Sequence, residues 1–101
     1  MIIVIGHVTA KPETHDEVLA LSLEHVKRSR AEPGCIAHNV SLDGETENRF
    51  VFVEYWADMP ALMTHFALDA SRQFVRDLTK LVAEEPEMKI FQAEETSPSA
   101  R

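Results

Sequence analysis

The side chains in this sequence best suited to moving protons near neutrality are its histidines, at positions 7, 15, 25, 38 and 65, because an unperturbed imidazole titrates at about 6.5. His65 follows Ala61 and Leu62 by one helical turn and stands beside Phe66. It either lines an apolar pocket or lies at a helix edge, paired with Asp69 four places on. His7 shares a strand face with Ile3 and Ile5, and His38 shares one with Ile36 and Val40. Each points into an enclosed interior or is a hydrogen-bonded core histidine. Asn39 alternates to the face opposite His38, so only one of the two can reach a common cavity. His15 and His25 fall among polar neighbours on the first helix and are expected to be solvated. Glu54 lies on the same strand side as Phe50, Phe52 and Trp56. If buried there, it must find a hydrogen bond or stay protonated, which makes it a second acid/base candidate. Trp56 offers a broad wall with a single donor, for substrate contact or for core packing.

Other chemistries have less support. No two histidines stand four apart on a helix, and neither His-x-His nor Cys-x-x-Cys occurs. A metal site would have to assemble from distant strands, and no metal or other cofactor is expected. Gly6, Gly34 and Gly44 are isolated, so no nucleotide-binding loop is present, and no nucleophile-elbow sequence favours a Ser-His-Asp triad. The single cysteine, Cys35, cannot form an internal disulfide and fits a buried, inert thiol better than a reactive one. Seventeen acidic against ten basic residues give a net charge of -7, which repels phosphate backbones and argues against a nucleic-acid partner.

The elements that must position these residues are legible as alternating patterns. Residues 2–9 are rich in β-branched side chains and close at Lys11-Pro12, predicting a strand. A helix follows, with Thr14 and Glu17 as a capping box, acidic residues in its first turn and Lys27, Arg28 and Arg30 in its last. Its predicted apolar stripe is Val18, Leu19, Leu21, Leu23 and Val26. Pro33-Gly34 stops it. Residues 35–42 and 49–56 form a hairpin across a polar turn. Asp58 with Pro60 begins a second helical region, bent near Asp69-Ala70-Ser71 and ended by Pro86. Residues 88–93 make a final strand.

The order βαββαβ predicts an α+β, ferredoxin-like fold, a four-stranded antiparallel sheet with two helices on one face. Residues 1–95 form one domain and residues 96–101 a flexible tail. Strand three, Arg-Phe-Val-Phe-Val-Glu-Tyr-Trp, is apolar on both faces. Helices can cover only one, and each large side chain left wet on the other costs roughly 1.5 to 3 kcal/mol. A homodimer pairing the two sheets removes that cost. The first residues lack a basic leader and a long apolar run, so a cytoplasmic protein with no membrane partner is expected.

Several of these segments together resemble the antibiotic biosynthesis monooxygenase family, dimeric α+β barrels that include quinol monooxygenases. The resemblance rests on Glu32-Pro33-Gly34-Cys35, on Arg49-Phe50-Val51 with Glu54-Tyr55-Trp56, and on Ala61-Leu62 followed by His65. It implies a cavity between sheet and helices in which a phenol or quinol is oxygenated by molecular oxygen without metal, flavin or haem. His65 matches the family's helix histidine and would serve as general acid/base, with Glu54 as a second such group. Trp56, Phe52, His7, His38 and Asn39 are the candidates for substrate contact. In the branch that oxidises aromatic polyketides, an asparagine implicated in the reaction aligns with Phe52, a departure from that pattern. Haem-degrading relatives use a histidine on the second helix, and none follows His65 here, so haem is not expected. Two other functions compatible with the same residues are isomerisation or breakdown of a small hydroxycarbonyl compound, and non-catalytic binding of an apolar ligand by the dimer.

Overall fold

A computed structural model describes residues 1–99. The chain runs β1 (Ile2–Thr9), α1 (His15–Ser29), β2 (Cys35–Leu42), β3 (Arg49–Trp56), α2 (Met59–Ala67), α3 (Asp69–Thr79) and β4 (Glu87–Gln92). The strands form one antiparallel sheet in the order β2-β3-β1-β4, the ferredoxin-like α+β arrangement. The expected tail 96–101 extends to residues 100 and 101, which lie outside the described residues; residues 93–99 belong to no helix or strand.

Alternation along the central strands sorts side chains between two faces. Ile2, Val4 and Val8 on β1 are buried toward the helices, and so are Phe50, Phe52, Glu54 and Trp56 on β3. Register pairs these sets directly, Val4 with Glu54 and Val8 with Phe50. The opposite face carries Ile5, Tyr55 and Phe91, which remain exposed.

Several local expectations need correction. Thr14 does not cap α1 through a box with Glu17, because its hydroxyl donates to the Leu81 carbonyl at 2.6 Å. The buried stripe of α1 is Val18, Ser22, His25, Val26 and Ser29, while Leu23 faces solvent. The second helical region breaks at Leu68, whose extended backbone (ψ 139) separates α2 from α3 one residue before the predicted bend. It ends at Thr79 rather than near Pro86, since Val82 leaves the helix to bridge Ala10 and the Ala83 N–H donates to the Thr9 carbonyl. Strand β4 starts one residue earlier than predicted.

Two backbone features set the site. Between Cys35 and Ala37, β2 is bulged against β3, which turns Ile36 outward at 58% exposure and leaves His38 buried against the helices. Gly34 adopts φ +82, and a Cβ there would stand 2.5 Å from the Cβ of Ala61. Its missing side chain lets the turn before β2 lie directly on α2. Glu32 is thereby brought to His65, although 33 residues separate them in sequence.

Candidate functional site

Four elements converge on one buried polar cluster. α1 contributes His25, β2 contributes His38, β3 contributes Glu54, and α2 contributes His65, all buried. The three imidazole centroids form a nearly equilateral triangle with sides of 5.2, 5.3 and 5.4 Å. Apolar clusters flank it: Ile2, Val4, Trp56 and Leu62 form one, and Val8, Val18, Val26, Phe50, Phe52 and Leu78 belong to the other.

Each ring has a distinct neighbour. His65 Nδ1 lies 2.8 Å from Glu32 Oε1. A carboxylate oxygen accepts, so this contact places the proton on Nδ1 and leaves the Nε2 lone pair of the neutral ring free. The Ser71 hydroxyl stands 3.5 Å from the same nitrogen, and the Trp56 ring lies 4.7 Å from the imidazole, centre to centre. His25 stacks on Phe74 at 4.0 Å, and Arg28 donates from Nη2 to its Nδ1 at 3.0 Å. Burial, then the His38 and His65 rings and the Arg28 guanidinium, lower the His25 pKa to about 3, so this ring is neutral at physiological pH. His38 Nε2 lies 3.2 Å from Glu54 Oε1, and its Nδ1 is buried with no hydrogen-bond partner among the described residues.

Glu54 occupies the middle of the apolar side of β3. Burial alone pushes its carboxyl up, but the adjacent His38 ring, the Trp56 indole N–H donating to Oε1 at 2.9 Å and the His65 ring together bring it below the ordinary glutamate value. It is an ionised acceptor inside an apolar layer. Cys35 packs against the Trp56 cluster, and burial, followed by Glu32 and Glu54, pushes its thiol up, which suits an inert role.

His25, Glu54 and His65 stand on the wall of a cavity of about 550 Å³ whose remaining lining includes Val4, Phe52, Phe66, Phe74, Leu78 and Met88. Val75 and Met88 also border it and are 59% and 55% exposed, so it opens to solvent between α3 and β4. That size suits a small organic molecule.

The candidates from sequence are thus divided. His65, Glu54 and Phe52 line the cavity; Trp56 and His38 are buried immediately behind Glu54. His7 borders the cavity rim, but strand alternation directs its side chain to the helix-free face, where Nε2 pairs with Glu87 Oε2 at 2.5 Å. Asn39 is exposed on that face and accepts from Arg30 Nη2 at 3.0 Å, so it does not reach the cavity. His25, expected in solvent, is instead buried at the centre of the cluster. His15 is only partly solvated, its Nδ1 3.0 Å from Asn48 Oδ1. Glu32, Arg28 and Ser71 join the site although the sequence presents them only as part of a helix stop, a helix end and a bend. Helical spacing from Val18 to His25 would have found His25; Glu32 has no comparable local signal.

The chain as a whole is similar in sequence and fold to known proteins. The profile of the family described as Antibiotic biosynthesis monooxygenase matches residues 1–77. An uncharacterised Synechocystis protein, sll1783, is 37% identical over 95 residues, covering 94% of this chain; the match spans only 65% of that protein's length. YcnE of Bacillus subtilis, provisionally named a monooxygenase, is 34% identical over 65 residues, covering 64% of this chain and 68% of YcnE. A crystal structure of an antibiotic biosynthesis monooxygenase superposes with a TM-score of 0.86 at 32% identity, covering 94% of this chain and all (100%) of that one. A Deinococcus radiodurans structure provisionally assigned to the same group superposes with a TM-score of 0.93 at 26% identity, covering 100% of both chains. No helix among the described residues is long and apolar enough to cross a membrane. The sequence match, the shared fold and the enclosed layer between sheet and helices lead to one assignment: the chain belongs to the antibiotic biosynthesis monooxygenase family.

Proposed function

We propose that this protein is a monooxygenase that oxidises a quinol or related phenol with molecular oxygen, without metal, flavin or haem, and that it works as a homodimer. The observation that carries this reading is the His65–Glu32 pair, 2.8 Å apart, with His65 on the wall of an apolar cavity and Glu32 behind it. A phenol held against Phe52 and Phe74 gives its hydroxyl proton to His65 Nε2, and Glu32 stabilises the imidazolium that forms. The electron-rich anion passes one electron to oxygen, and the resulting radicals combine to form a carbon–oxygen bond. His65 returns its proton to the peroxide. Glu54, kept ionised, takes the proton from the oxygenated carbon, the C–H electron pair forms the carbonyl as the O–O bond breaks, and the proton passes to the departing hydroxide. One oxygen atom ends in the quinone carbonyl and the other in water, with the substrate as sole reductant.

Pairing through the helix-free face is supported by the exposure of Ile5 (44%) and Phe91 (46%) beside the half-buried Ile3, Val51 and Val53. The test is oxygen uptake by chelator-treated protein across a panel of hydroquinones. Stoichiometric uptake is expected, and His65→Ala should lower it by about 100-fold or more, within the range of general acid/base catalysis. Retention of the full rate by that variant would remove His65 from the role. An anaerobic arm separates oxygenation from isomerisation, since the same groups can shift protons on a hydroxycarbonyl compound without oxygen.

A further inference from the structure

The triangle of buried imidazoles fits an inorganic occupant as well as it fits acid/base chemistry. We propose that His25, His38 and His65 form a binding site for a first-row divalent transition cation such as zinc. One nitrogen from each ring lies within 4.8 Å of the other two. Tetrahedral imidazole ligation at about 2.0–2.1 Å brings such nitrogens to about 3.3 Å, so the widest pair must close by at most about 1.5 Å. Side-chain rotation on three separate elements can supply that movement.

The outer contacts resemble those of ligating histidines, which commonly carry a carboxylate on the far nitrogen. Glu32 accepts from His65 Nδ1, turning the Nε2 lone pair free, and Glu54 lies 3.2 Å from His38 Nε2. His38 supplies an independent indication: with Glu54 on its Nε2 side, its Nδ1 is buried with no hydrogen-bond partner among the described residues, and a cation would satisfy it. His25 and His65 also face the cavity, which leaves a fourth coordination position open to water or a small anion. Arg28 opposes loading. Its guanidinium occupies His25 Nδ1, so either that contact breaks or the proton on the other nitrogen departs when the cation enters.

This site draws on the pocket of the proposed oxygenase, and the lone pair of His65 cannot serve both uses at once. A bound cation therefore inhibits proton abstraction, while binding itself can be read without turnover. The experiment titrates chelator-stripped full-length protein with Co²⁺ and then Zn²⁺. One Co²⁺ per chain with the visible absorption of tetrahedral nitrogen ligation, bleached by Zn²⁺, is expected. Affinity should fall by about 100-fold or more in His25→Gln and in His38→Gln, remain unchanged in His7→Gln and His15→Gln, and rise in Arg28→Gln. NMR of the wild-type chain with labelled histidine needs no variant; Zn²⁺ should shift the ring nitrogens of His25, His38 and His65 only. Failure to bind one ion per chain, or binding that shifts the signals of His7 or His15 instead, overturns the proposal. Cation binding without oxygen uptake by the stripped protein would leave this site standing and remove the oxygenase reading; uptake without cation binding would do the reverse.

Discussion

The two faces of the sheet invert the usual distribution of polarity. Under the helices, among Val4, Phe50 and Trp56, lie three histidines and a glutamate that are all buried. On the opposite face, Ile5, Tyr55 and Phe91 are exposed where solvated polar residues would be ordinary. Burying polar groups is costly unless they are partnered, and wetting large apolar groups wastes hydrophobic stabilisation. The covered face is therefore where chemistry is to be sought, and the bare face is the one through which the proposed homodimer would pair.

The largest expected contrast is in packing. Phe50 is fully buried at the centre of the larger apolar cluster, so Phe50→Ala should cost about 3–5 kcal/mol in denaturant unfolding. Ile5→Ala on the other face should cost far less at concentrations where the protein is monomeric, and equal losses at the two positions would break the contrast. Next in size is Gly34→Ala, which forces a Cβ against Ala61 at a positive φ and should cost about 1–3 kcal/mol. Because that contact seats Glu32 beside His65, the variant should lose activity even where it remains folded.

Acid should weaken the covered face specifically. The His25 pKa is lowered from 6.5 in the unfolded chain to about 3 in the folded one. Between those values the unfolded state binds the extra proton, so stability from this group is complete above pH 6.5 and is lost as pH falls toward 3. The lowered Glu54 carboxyl acts in the same direction: its contribution is present above the ordinary glutamate pKa and disappears as pH falls through the depressed folded value. Thermal melts should show a falling acid limb, and His25→Phe, able to stack on Phe74, should flatten its upper part. The smallest change to the protomer is expected from Ile5→Lys combined with Phe91→Lys. Sedimentation should convert a dimer to monomers while the far-ultraviolet spectrum stays unchanged; a wild-type protein already monomeric at micromolar concentration would contradict pairing through this face.

Much of this architecture is legible in the sequence. The bounds of β1, β2 and β3 match the predicted strands because β-branched and aromatic runs there end at proline, glycine or polar turns. The order of elements then leaves the ferredoxin-like sheet as the leading solution. The site is less legible. On α1, apolar residues alone point toward Leu21 and Leu23, whereas the packed face follows helical spacing through Val18, Ser22, His25, Val26 and Ser29. Two small serines there let the helix approach the sheet, and His25 is carried inward with them. Glu32 carries no local sign of a role beside a histidine. It belongs to a helix stop, and only the close approach of Gly34 to Ala61 reveals its partner. The β2 bulge is similarly silent, since nothing in Cys-Ile-Ala-His announces that Ile36 turns outward.

The most direct measurement is kcat for quinol oxidation by chelator-treated Glu32→Gln beside the wild-type protein. Replacing the carboxylate removes the charge that orients and stabilises the His65 ring while leaving the cavity wall intact. A fall in kcat of about 100-fold with little change in KM is expected. An unchanged kcat would contradict proton transfer through the His65–Glu32 pair.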